Sequence, residues 1–207
     1  MLISMIILGV LALMIIVGLG RPFLKDFRLH WAVPLIFFLA VIGLNFIPLI
    51  RIGNFSFSVG VALFYLVMLA AFFIRSKFSS AITAFAAGLV FGGLIYAATR
   101  VSALTGNEFF ATTNWVYALV MGFIAFILAR NGKYAFLIAS EALMLPNMLV
   151  QIGMGEFSLN YGFDWTILAA GVAFTLYAVT MFILTRLPAD KKGKNKLAAM
   201  FESGRLK

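Results

Sequence analysis

Seven runs of predominantly apolar residues, at about 2–20, 31–50, 56–74, 79–99, 114–130, 134–153 and 164–186, take up most of this 207-residue chain. A hydrocarbon core about 30 Å thick is crossed by about 20 apolar residues rising 1.5 Å each. Backbone amides in lipid must be paired internally, so a spanning segment is a helix or part of a closed barrel. Barrel strands alternate apolar and polar residues over about ten positions, whereas these runs are apolar on every face. The expectation is an all-α, polytopic transmembrane bundle of seven helices.

Composition points the same way. Hydrophobic residues make up 64% of the chain and charged residues 11%, against about 45–50% and about 25% in soluble domains. Residues 1–187 read as one transmembrane domain and 188–207 as a basic cytoplasmic tail. The first run lacks a basic leader and a small-x-small cleavage site, so it reads as an uncleaved first helix.

The net charge of +9 is spread over connectors and tail rather than gathered on a folded face, which argues against nucleic acid as a partner. Fourteen of the sixteen Lys and Arg fall in connectors 1–2, 3–4, 5–6 and the tail; Arg51 and Arg100 fall on the opposite side. The positive-inside rule then puts the N-terminus outside and the tail in the cytoplasm of a cytoplasmic (inner) membrane. Trp31, Trp115 and Trp165 begin predicted helices, as an interfacial belt requires. Lys191, Lys192, Lys194 and Lys196 form a polybasic cluster suited to anionic lipid or a partner.

Two stretches echo one another. Ile52-Gly53 then Phe55-Ser56 follows helix 2, and Ile152-Gly153 then Phe157-Ser158 follows helix 6. Helices 1 and 5 share a looser pattern of Gly, an apolar run, then Gly and a basic residue. These echoes suggest two parallel three-helix repeats, 1–3 and 5–7, joined by helix 4. The layout is similar to that of SWEET-type sugar transporters, which are built from parallel repeats. The proline–glutamine pair of that family's helices is absent, so no residue role carries over.

Six of the seven acidic residues lie in loops or the tail; Glu141 alone sits mid-helix. A carboxylate at bilayer depth is costly and reads as functional by default. Ser140, Glu141, Asn147 and Gln151 share one arc of the helical wheel with two methionines. Pro146 should free the carbonyl of Ala142 nearby. Asn45 and Pro48 are the corresponding features of helix 2, with Pro48 expected to kink it and Asn45 to face Glu141. Together these residues outline a site for a proton, a cation or a small polar solute. The competing reading makes Glu141 a protonated acid glueing two helices together. Ala84, Gly88 and Gly92 line one stripe of helix 4 and admit a close helix neighbour, within the bundle or in a homo-oligomer.

Enzymatic chemistry finds little support. Cysteine is absent and His30 is the single histidine, so neither thiolate chemistry nor the usual multi-ligand metal site can be built. No catalytic or nucleotide-binding motif occurs. The expectation is a non-enzymatic protein without cofactor or metal. A small transporter or channel with its site at helices 2 and 6 comes first. A non-catalytic membrane subunit, or an assembly or envelope-biogenesis factor acting through protein partners, is the alternative.

Overall fold

A computed structural model describes residues 1–186 apart from 28, 75, 130, 153, 154 and 156, and the side chains of residues 22, 185 and 186 are left undescribed as well. The chain is mostly helical. The described elements are α1 (Leu2–Ile16), α2 (Arg21–Phe27), α3 (Ala32–Leu44), β1 (Ile50–Ile52), β2 (Phe55–Phe57), α4 (Val59–Phe73), α5 (Phe78–Leu104), α6 (Trp115–Ala129), α7 (Gly132–Ile152), β3 (Phe157–Ser158) and α8 (Phe163–Arg186). Each apolar run contains one helix. Three of them, α5, α7 and α8, are long and apolar enough to cross a membrane; α1, α3, α4 and α6 are shorter apolar helices.

Helix α7 is the centre of the fold. It packs most extensively against α5, and also against α6, α8, α2, α4 and β3. Helices α6, α7 and α8 all touch one another, while α1, α3 and α4 continue as an arc from α8. Because α7 is covered on nearly every side, its polar residues can only point into the protein. Its N-terminal amides are met by two side chains: Asp26 Oδ2 accepts from Gly132 N at 2.8 Å, and Asn131 Oδ1 accepts from Tyr134 N at 2.8 Å. Such capping satisfies amides that have no partner within the helix.

Connector 1–2, expected as a charged loop, holds the short helix α2. Its Phe23 and Leu24 are buried, and the Phe23 ring lies 4.3 Å from Phe174 and 5.7 Å from Phe136. The arginine and lysine of this segment mark a surface; the aromatic between them anchors it to α7 and α8.

The helix expected over 31–50 ends at Leu44, so Pro48 does not kink a helix. Proline has no amide to donate and disfavours helical geometry in the residue before it. The chain stops short of it instead, with Ile47 N donating to Leu44 O at 3.3 Å. Residues 50–57 then form a hairpin, β1 antiparallel to β2, with Ile52 opposite Phe55 across the two-residue turn Gly53-Asn54. Gly53 has φ +59°, a left-handed conformation that such tight turns demand and glycine supplies. β3 adds in parallel to β2, pairing Phe55 with Phe157 and Ser56 with Ser158. The two echoing sequence segments therefore lie side by side, their phenylalanine rings stacked 5.4 Å apart. An all-helical expectation needs this one amendment.

Candidate functional site

The four polar residues expected on one face of α7, Ser140, Glu141, Asn147 and Gln151, are all buried. They find different surroundings. Ser140 Oγ donates back to Phe136 O at 2.8 Å, one turn earlier, and takes no part in tertiary contact by that bond. Glu141 is 3% exposed, and neither carboxyl oxygen has a hydrogen-bond partner among the described residues.

The Glu141 carboxyl rests against Gly88 of α5. A Cβ built on Gly88 would stand 2.7 Å from Glu141 Cδ. One turn on, a Cβ at Gly92 would stand 2.9 Å from Leu145 Cβ and 3.3 Å from Ala142 O. This is the carbonyl that Pro146 deprives of its usual amide. The stripe Ala84, Gly88 and Gly92 is thus buried within the chain, where α7 seats the Glu141 carboxyl and the Ala142 carbonyl. Pro146 lies inside α7 without ending it, in contrast to Pro48.

Further along α7, Asn147 Oδ1 accepts from Thr113 Oγ1, in the segment that leads into α6. Its amide also fills the space over Gly162, whose φ of +68° brings the backbone close. Asn147 Nδ2 has no partner among the described residues. Gln151 then ties the helix to the sheet. Its Nε2 donates to Ser158 O at 2.8 Å and to Asn147 O at 3.1 Å, and its Oε1 accepts from Ser158 N at 2.5 Å. The side-chain amide acts as one more strand residue beside β3.

A cavity of about 380 Å³ opens at this end, lined by Arg51, Gly53, Asn54, Ser56, Gln151, Phe157, Ser158 and Tyr161. Burial holds the Tyr161 hydroxyl above its usual range, opposed by a hydrogen bond with Thr112. Gln151 is the described α7 residue in the lining; Asn147 and Glu141 are not part of it.

Asn45 is not brought to Glu141. It caps α3, accepts from Ser58 Oγ, and packs on Gly60 of α4. Ser58 N in turn donates to Asn160 Oδ1 at 3.0 Å, so Asn45 belongs to a polar junction beside the sheet. Its Nδ2 is unpartnered among the described residues. Arg100 is exposed and lies over Tyr96, with Nε 3.0 Å from the hydroxyl. Lys191, Lys192, Lys194 and Lys196 lie outside the described residues. Among the described residues no three His, Asp or Glu side chains gather to hold a metal.

Four participants escape a reading of the sequence. Thr113 and Gly162 lie in connectors with no motif. Lys133, read as a topological charge, is 5% exposed, and its Nζ donates to Ile74 O and Ser76 Oγ, both at 2.6 Å. There it neutralises the C-terminal end of α4. The polar row of the sheet is the fourth, although Ile50-Arg51-Ile52 and Phe55-Ser56-Phe57 alternate around Gly-Asn, a readable hairpin signal.

No protein-family model, curated protein or solved structure matches this chain.

Proposed function

We propose that this chain is a seven-helix integral protein of the cytoplasmic membrane, with N-terminus outside and C-terminus inside. In this reading it moves a proton, a small cation or a small polar solute along the buried face of α7. The observation that carries the reading is the Glu141 carboxyl, enclosed and without a hydrogen-bond partner among the described residues. A carboxyl that glued helices together would spend its oxygens on a neighbouring helix. An enclosed polar group with nothing to bond costs about 1–3 kcal/mol, and more if charged. Such a penalty is retained where the group must remain free to take a ligand or a proton.

Asn147 and Gln151 extend the same face towards the cavity, about 15 Å from Glu141 at helical rise. The basic connectors support the sidedness, which puts the sheet and its cavity outside. The amide of Asn147 and the carboxyl of Glu141 are the exchangeable groups along the way. The two three-helix repeats remain part of this proposal, with the parallel pair of Phe55 and Phe157 as their point of contact.

A second reading rests on the enclosure itself. Gln151 lines the cavity and Glu141 does not, and a membrane subunit working through a protein partner would also keep this interior closed. Purified protein in vesicles containing a pH-sensitive dye separates the two. Under an imposed potassium diffusion potential, the transporter reading expects proton entry that Glu141→Gln abolishes at equal protein incorporation. Entry at the same rate in that variant removes it, and no entry in the parent chain removes the proton as the transported species.

A further inference from the structure

The three strands present one polar row. Arg51 of β1 is directly opposite Ser56 of β2, and Ser56 is directly opposite Ser158 of β3. Residues in register across a sheet point to the same face. All three line the cavity; the rings of Phe55, Phe57 and Phe157 cluster beside one another, and Phe157 also borders the cavity. Neighbouring strands are about 4.8 Å apart, so the row carries a guanidinium, a hydroxyl and a second hydroxyl at steps of that size. Tyr161 adds another hydroxyl from the start of the α8 segment.

Among the described lining residues Arg51 carries the one charge. No described acidic residue lines the cavity, and the Arg51 guanidinium has no hydrogen bond or ion pair among the described residues. The Ser56 and Ser158 hydroxyls likewise donate to nothing there. Gln151, by contrast, spends its amide on Ser158 and on Asn147 O. A planar guanidinium beside hydroxyl donors matches an oxyanion, whose oxygens accept several hydrogen bonds at once. The volume of about 380 Å³ falls in the range of small-molecule sites.

We infer that the polar row Arg51–Ser56–Ser158 is a binding site for an oxyanion, a phosphate or carboxylate group that enters at the open end of the sheet. The inference is independent of Glu141 and of any transport. The group can belong to a free solute or to a lipid headgroup; exposed Phe46, Ile47 and Ile52 flank the hairpin and would suit acyl chains.

Calorimetric titration of the full chain in uncharged detergent at low salt tests this with three probes: inorganic phosphate, succinate and dihexanoyl phosphatidylglycerol below its micellar concentration. Saturable binding of at least one is expected, and the probe that binds identifies the source. Arg51→Gln should weaken it at least about tenfold, and Ser56→Ala or Ser158→Ala by a smaller factor. Arg100→Gln, which removes the same charge elsewhere, should leave it unchanged. Absence of binding by all three probes overturns the inference, as does binding that survives Arg51→Gln or falls equally with Arg100→Gln.

Discussion

The carboxyl of Glu141 occupies the place where residue 88 would carry its β-carbon if it were anything but glycine. Two features that look unrelated along the chain, a small-residue stripe and a lone acid, are halves of one contact. At Gly88 the added atom would overlap most with the far end of a side chain, with Glu141 Cβ next at 3.0 Å. At Gly92 it would meet Leu145 Cβ and the Ala142 carbonyl, which cannot move without α7.

Gly92→Ala should therefore destabilise the protein by about 1–3 kcal/mol through overpacking. Gly88→Ala should cost less and act on Glu141 instead, so that adding it to Glu141→Ala has little further effect. Thermal unfolding in detergent of the singles and the double measures this coupling. Additive losses would show that the two residues do not share a contact.

Gln151 holds β3 through both ends of its amide. Gln151→Leu strands Ser158 N and Ser158 O, an expected loss of about 1–3 kcal/mol per unsatisfied group in a buried setting. Hydrogen exchange at the Ser158 amide should quicken well beyond that of α7 amides, which keep their helical partners.

Lys133 satisfies the carbonyl of Ile74 just past the end of α4. Lys133→Met preserves the apolar stem over Phe27 and Tyr134, whose ring centres lie 5.8 and 5.7 Å from Nζ, but removes the donor. A fall in stability of about 1–3 kcal/mol is expected, and Lys133→Arg should recover part of it. Equal melting temperatures for the methionine variant and the parent would show that this end of α4 is satisfied otherwise.

The absence of cysteine makes single-cysteine labelling clean. With the proposed sidedness, a membrane-impermeant maleimide added to intact cells should label cysteine at Leu104, which is 87% exposed, and at Ser56. Cysteine at Lys77 should react only after the membrane is opened. The reverse pattern would invert the orientation.

Much of the helical layout is legible because hydropathy reports burial from water directly, and each apolar run contains its helix. The end of α3 is not legible from hydropathy: Leu49, Ile50 and Ile52 extend the apolar run although Pro48 has already closed the helix. Period-two alternation around Gly53-Asn54 is the better guide there. On α7, the burial of Glu141, Asn147 and Gln151 agrees with the single arc that they share on the helical wheel. Their partners do not follow. Gly88, Thr113 and Gly162 reach them by long-range packing, and Ser158 reaches Gln151 across the connector after α7; no local pattern in a single chain encodes which helix faces which. Lys133 shows the converse, a charge whose position explains orientation so well that its bond to Ile74 goes unnoticed.

The parallel pairing of Phe55 with Phe157 also sets an order of events during synthesis. Residues 50–57 leave the ribosome about 100 residues before their partner strand, which at about 5–20 residues per second is a wait on the order of 5–20 s. Through that interval β2 has β1 on one edge and nothing on the other, beside exposed Phe46 and Ile52. A nascent chain in this state offers an open strand to any neighbour, and only the arrival of α7 and β3 closes it.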